Sequence, residues 1–325
     1  MIGEMMCHLT GFLAPLPYDL IFTLIGLIWF ISGWLISSHR QNRRWLKALN
    51  FLNESDQKKV IEHAHSTRKE QALIRLLKNY ETLAVAYSGG VDSTYLADCA
   101  NEALGNNAII LIADSPSLPR SELKEAIKLA QKRQWNLEII HPKEHENPAY
   151  LANQGDRCFH CKDALFNHMK YFLETHPNTQ LAYGAIEDDR TDHRPGNQAA
   201  IKHNAVAPLQ QVLLYKSEIR QLSSARGLPT AEKASFACLG SRFPTGTSIN
   251  LKKLSQVEAA EEILRQHGYR QYRVRHHEEI CRIEINPSDF EKLLNERESL
   301  LQKIKATGYR YITLDINGYS TGSTA

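Results

Sequence analysis

The sequence predicts an α/β protein: a parallel sheet with helices on both faces, a small C-terminal α/β domain, and a hydrophobic helix ahead of both. Three observations predict it. Short, continuously apolar runs such as "TLAVAY" (82–87) and "AIILIAD" (108–114) alternate with stretches of helical periodicity, which is the pattern of strands buried on both faces. The first run leads through two glycines into a helix-like stretch, a β–loop–α–β unit of the parallel type. After about Asn250 the pattern changes to helices alternating with "YRVRHH", "CRIEI" and "YITLDI". The expected boundaries are 1–45 for an N-terminal extension, 46–248 for the main domain and 249–325 for the C-terminal domain.

In chain order, Leu20 to Ser37 contains no charged residue, and crossing a bilayer core takes about 20 apolar residues. No Lys or Arg precedes this run, while "HRQNRRWLK" follows it, so the positive-inside rule puts the bulk of the chain in the cytoplasm behind a membrane tether at 20–37. A buried core helix and an extension upstream of the true start are the alternatives. Residues 38–78 read as charged, amphipathic helix. "STYLADCANEAL" has helical spacing and stops at Gly105, and "SELKEAIKLAQKRQ" follows with Ser121 as its expected N-cap. "NLEIIH" and "LAYGAI" complete the strands, and "SEIRQLSSARGLP" is a helix stopped by Gly227 and Pro229. A net charge of +3 over 325 residues is too small a basic excess to argue for a nucleic-acid partner. Six cysteines in a chain this long do not resemble a secreted disulfide scaffold.

The chemistry concentrates in "SGGVDS", residues 88–93. Gly89 and Gly90 permit a tight turn with backbone N–H groups facing one point, and the following helix adds the partial positive charge of its N-terminus. Ser88 and Ser93 add hydroxyl donors, so the loop suits phosphate oxygens. Asp92 would be unfavourable beside phosphate alone, and a bound Mg²⁺ explains it. The loop is not a Walker A motif, because the Gly-Lys-Ser/Thr ending is absent.

This stretch resembles the PP-loop of the ATP pyrophosphatases, which implies an adenine-nucleotide α-hydrolase-like fold and ATP bound by its pyrophosphate end. Asp114 and Ser115, at the end of the second strand, would then lie near the adenosine. A second block, "GLPTAEKASFACLGSRFPTGTSIN" (227–250), resembles the LarE sulfur transferases of that superfamily, as do "YGAIEDDRTDHRPGNQAA", "VRHHEEICRIEI" and "GYSTGS". The resemblance covers nearly everything from about residue 55 onward. It implies adenylation of a carboxylate of a pyridinium dicarboxylate mononucleotide, pyrophosphate release and thiocarboxylate formation, in nickel-pincer cofactor biosynthesis. It also implies a homo-oligomer.

Within the resemblance Cys238 takes the position of the sulfur donor, and Arg242 nearby is expected to favour its thiolate. Cys158 and Cys161, one helical turn apart, make three thiols with Cys238, the number that holds a [4Fe–4S] cluster with one open iron; zinc or no metal is also open. Asp188, Asp189, Arg190 and Arg194 match the family's charged stretch and are candidates to hold metal, phosphate or the substrate carboxylate; Ser241 is a further substrate-side candidate. Where the family has Asn, this chain has Ile186. Arg273 and Arg275 are candidates for a substrate phosphate and Glu284 for a metal. Other readings are a tRNA-thiolating enzyme, an amide-forming enzyme, and a membrane-tethered ATP sensor without turnover.

Overall fold

The computed structural model describes residues 54–190, 195–234 and 237–320. The apolar run at 20–37 and Arg194 lie outside these; among the described residues no helix is long and apolar enough to cross a membrane.

Four strands form a parallel sheet in the order β3-β2-β1-β4, with helices on both faces: β1 (Thr82–Tyr87), β2 (Ala108–Ala113), β3 (Asn136–Ile140) and β4 (Thr179–Tyr183). β1 and β2 are buried almost throughout, as their unbroken apolar runs require. β3 faces solvent more than its sequence suggests. Chain order reverses between β1 and β4, and open α/β sheets bind ligands at the carboxyl ends of strands beside such a reversal.

By contacts the chain forms two compact units that interleave along the sequence. Among the described residues, the first takes those up to Ile109 with those of Ala182–Asp192 and Val206–Lys233; the second takes those of Ile110–Leu181, His193–Ala205 and Ala234 onward. In the first, α1 (Glu54–Leu77) and the later helix of this unit, Lys216–Ala225, pack on α2 (Val91–Leu104). α2 is buried on nearly every side, including Tyr95, Leu96, Ala97, Cys99 and Ala100. Arg226 holds this packing with a guanidinium shared among Glu70, Asp98 and Glu102 at 2.6–2.9 Å. As expected, Gly227 follows the helix with φ 63°, which only glycine adopts cheaply.

In the second unit, α3 (Arg120–Lys132) starts one residue before the expected Ser121 cap, on Pro119. The reason is tertiary: the Arg120 side chain reaches back to Asp114 and to the carbonyls of Ser115 and Leu118, which sets the turn into the helix. α4 (Pro148–Ala152) and α5 (Arg157–Glu174) precede β4, and α6 (Pro195–Lys202) follows it. The first unit resumes with α7 (Pro208–Gln211) and α8 (Lys216–Ala225). A second sheet has the order β5-β6-β7, with β5 (Tyr272–His277) antiparallel to β6 (Ile280–Ile285) and β7 (Tyr311–Leu314) parallel to β6. α9 (Leu251–Gln266), α10 (Phe290–Asn295) and α11 (Arg297–Ala306) pack there; Leu254, Val257, Leu264, Val274, Ile283 and Ile304 share one core with Tyr150, Leu239 and Phe243. The Cys238 loop is therefore anchored in the core of the C-terminal sheet.

Candidate functional site

Within the first unit the candidate residues gather at the loop after β1. Gly89 has φ 74° and is buried, so its place in the turn demands glycine. Ser93 ties the loop into a ring: its Oγ accepts from the Ser88 N–H at 3.1 Å, lies 3.0 Å from Ser88 Oγ, and donates to the Gly90 carbonyl at 3.2 Å. Gly184, just past β4, is packed so tightly that an added Cβ would lie 3.0 Å from the Ser93 backbone nitrogen. That contact presses the head of α2 against the neighbouring strand.

Asp92 points one carboxylate oxygen at Lys216 Nζ, 2.6 Å away, and leaves the other buried without a hydrogen-bond partner. Burial pushes its pKa up, with Lys216 opposing and Asp189 adding to the rise. A Mg²⁺ ion fits this observation, since a buried carboxylate oxygen with no hydrogen-bond partner is a suitable hard ligand. Asp188 and Asp189 both serve the local backbone: Asp188 Oδ2 accepts from the Lys216 N–H at 2.8 Å and Asp189 Oδ2 from the Ile186 N–H at 3.0 Å. Ile186 itself is buried. The sequence analysis does not single out Lys216, whose partner lies 124 positions away.

A separate group of sequence-predicted residues lies within the second unit. Asp114 is bound by Arg120, and Ser115 is buried with its hydroxyl on Glu144. Ser117 Oγ donates to Glu144 Oε1 at 3.1 Å and meets Tyr150 Oη at 2.6 Å. The Ser117 carbonyl accepts from the Leu239 N–H at 2.8 Å, which fixes one side of Cys238. The other side is fixed by Ser241 Oγ, which donates to the Cys238 carbonyl at 2.8 Å. Cys238 is half-buried.

Arg242, expected to favour the Cys238 thiolate, interacts electrostatically with that thiol from a closed position. It is fully buried and doubly bonded to Glu261, Nε–Oε1 2.8 Å and Nη2–Oε2 2.9 Å. Its Nη1 donates to the carbonyls of Ala237 (2.6 Å) and Cys238 (3.1 Å), so it shapes the loop while Glu261 compensates its charge. Arg275 likewise donates to the Ser241 carbonyl at 3.0 Å and pairs with Glu284 at 2.9 Å. Glu284 is fully buried between Arg275 and Arg282. Two guanidiniums occupy the carboxylate, so it does not fit a metal ligand. Arg273 stacks on Tyr319, 5.0 Å from ring centroid to Cζ, and burial lowers its basicity.

Cys161 feels Cys238, Glu144 and Cys158, and burial together with these neighbours pushes its thiol well up; Arg157 pulls the other way. Cys158 is exposed. The donor set would suit a cluster, but among the described residues no group of three or more His, Cys, Asp or Glu side chains is placed to hold a metal ion. Burial likewise pushes up the thiols of Cys99 and Cys281, which belong to the cores.

A buried strand, a glycine turn closed by a serine ring and a helix bearing an open aspartate oxygen define a nucleotide-binding PP-loop domain. No family model matches the chain. It is similar to an uncharacterised protein of Synechocystis, 39% identical over 240 residues, 73% of this chain and 90% of that protein. It is also similar to the pyridinium-3,5-bisthiocarboxylic acid mononucleotide synthase of Lactiplantibacillus plantarum, 29% identical over 78% of this chain and 92% of that protein. A GMP synthase of Carboxydothermus hydrogenoformans matches at 28% over 49% of this chain and 35% of its own length. The chain belongs to the LarE family of ATP-dependent sulfur transferases within the PP-loop ATP pyrophosphatases.

Proposed function

We propose that the protein uses ATP to activate a carboxylate of a pyridinium dicarboxylate mononucleotide and replaces one carboxylate oxygen by sulfur, in nickel-pincer cofactor biosynthesis. The synthase of Lactiplantibacillus plantarum supports the substrate class by its name, since the bisthiocarboxylic acid is the thiolated form of such a dicarboxylate. The observation that carries the reading is Cys238: a half-buried thiol on a loop pinned on both flanks, in a chain that also carries a PP-loop.

In this reading the substrate carboxylate attacks the α-phosphorus of ATP and pyrophosphate leaves toward Ser88, Gly89, Gly90 and Ser93. Mg²⁺, held by Asp92, would neutralise phosphate charge. Asp114 and Ser115 serve the adenosine side, and Asp188, Asp189, Arg194, Ser241, Arg273 and Arg275 the substrate side. The Cys238 sulfur then attacks the acyl carbon and AMP leaves, giving a thioester. Removal of the Cys238 Cα proton forms the Cα=Cβ bond, breaks Cβ–S and releases the thiocarboxylate, leaving dehydroalanine.

The test is a peptide mass spectrum covering residue 238 after anaerobic incubation with ATP, Mg²⁺ and the dicarboxylate mononucleotide. Dehydroalanine supports sacrificial transfer. Thiocarboxylate with Cys238 intact moves the sulfur source to a cluster on Cys158, Cys161 and Cys238, or to another donor. No thiolated product sinks the reading. The membrane tether at 20–37 and a homo-oligomeric state belong to the same proposal; fractionation of cells making the full chain and a truncation lacking 1–45, and light scattering, test them.

A further inference from the structure

Two guanidiniums stand at the Cys238 loop, and they differ in how far they are already engaged. Arg242 is committed to Glu261 and to the carbonyls of Ala237 and Cys238. A different arginine, Arg157 at the start of α5, reaches the same loop from outside it. Its Cδ and Nε both lie 3.3 Å from where a Cβ on Gly240 would stand, two residues past Cys238. Tyr150 Oη lies 3.1 Å from that point. Gly240 thus lacks a side chain because two polar groups occupy its place.

The two groups differ in what they have left to give. Tyr150 is engaged with Ser117, which in turn bonds Glu144. Arg157 is held through Nη1 by Asn153 Oδ1 at 2.8 Å, and Asn153 clamps the carbonyls of Pro244 (2.8 Å) and Thr247 (3.0 Å). The head group is therefore fixed at one end, while its Nε–H is buried without a hydrogen-bond partner. A buried donor left unmade costs about 1–3 kcal/mol, more when the group is charged. An anion brought to the Gly240 turn, two residues past Cys238, would satisfy it.

We propose that Arg157 holds the oxygen that becomes anionic when the Cys238 sulfur attacks the activated carboxyl. This rests on the function proposed above. As the S–C bond forms, the carbonyl π pair moves onto oxygen and the Arg157 Nε–H donates to it; collapse re-forms C=O and expels AMP with its electron pair. No proton is exchanged with Arg157. Fixed donors aimed at developing oxyanions contribute about 10²–10³ in rate each.

The experiment compares wild type with Arg157→Gln and Arg157→Lys in single turnover, following pyrophosphate release and Cys238 consumption separately. The expected result for Arg157→Gln is pyrophosphate release within about threefold of wild type and Cys238 consumption slowed about 10²–10³-fold. Arg157→Lys should recover at least tenfold of that. Equal slowing of both steps, with a fallen melting temperature, makes Arg157 only a brace for Asn153 and overturns the proposal, as does a wild-type rate. A second measurement needs no substrate: the ratio of Cys238 alkylation rates by iodoacetate and by iodoacetamide. The positive group should favour the anionic reagent, so Arg157→Gln should lower the ratio about fivefold; an unchanged ratio overturns the proposal. If wild type thiolates nothing, the proposed function falls while this ratio still decides Arg157.

Discussion

Glu261→Gln removes the charge that compensates Arg242 and changes almost nothing else in size. The two side chains retain 7% and 1% of their exposure, so the pair is screened by almost no water. Glu261 Oε1 accepts from Arg242 Nε at 2.8 Å and from the Val274 N–H at 3.0 Å, and Oε2 accepts from Nη2 at 2.9 Å. An amide offers one acceptor where the carboxylate offered two, and turns an NH₂ toward the guanidinium. Breaking a buried pair by neutralising one partner costs about 3–5 kcal/mol, because the remaining charge stays desolvated. The folding equilibrium constant should thus fall by a factor of about 10²–10³·⁵ at a tenfold change per 1.4 kcal/mol. Urea titration followed by circular dichroism measures it. The isosteric apolar pair Arg242→Met with Glu261→Leu should recover much of the loss, since it removes both charges. It should not restore the Cys238 loop, whose carbonyls lose the Arg242 Nη1 donor, so proteolysis between 237 and 242 should become faster. A Glu261→Gln protein within about 1 kcal/mol of wild type would refute the argument, since only an exposed pair is worth so little.

Gly184→Ala should cost about 1–3 kcal/mol and weaken ATP binding by calorimetry, because its Cβ would press on the Ser93 backbone at 3.0 and 3.1 Å; unchanged affinity would mean that this contact does not set the loop. Burial lowers the basicity of His63, His276 and His277 in the fold, so below pH about 6.5 the unfolded chain binds more protons. Their stabilisation is complete above that pH and is lost as pH falls through the histidine range; a urea midpoint as high at pH 5.5 as at 7.5 would contradict it. For Asp92 the sign is opposite: burial holds its proton to higher pH than in the unfolded chain, so its ionisation costs stability as pH rises through the carboxylate range. Asp92→Asn should gain stability relative to wild type between pH 4 and 7 while losing pyrophosphate release, and a constant difference across that range would show no linked proton.

What the sequence determined by itself is local. The run "TLAVAY", two glycines and the helical spacing after them dictate a buried strand, a turn and a helix, because backbone propensity and apolar periodicity act over a few residues. Gly227 as a stop is legible for the same reason, whereas Cys238 is singled out by the family resemblance of its block. The tertiary structure decided which charges meet. Arg242, four positions from Cys238, spends its guanidinium on Glu261, while Arg157, far off in sequence, arrives at Gly240. Lys216 finds Asp92 across 124 positions, and Arg120 moves the start of α3 ahead of Ser121 by reaching back to Asp114. A charge takes its partner by distance and desolvation in the folded chain, and neither quantity is written in the spacing of residues along it.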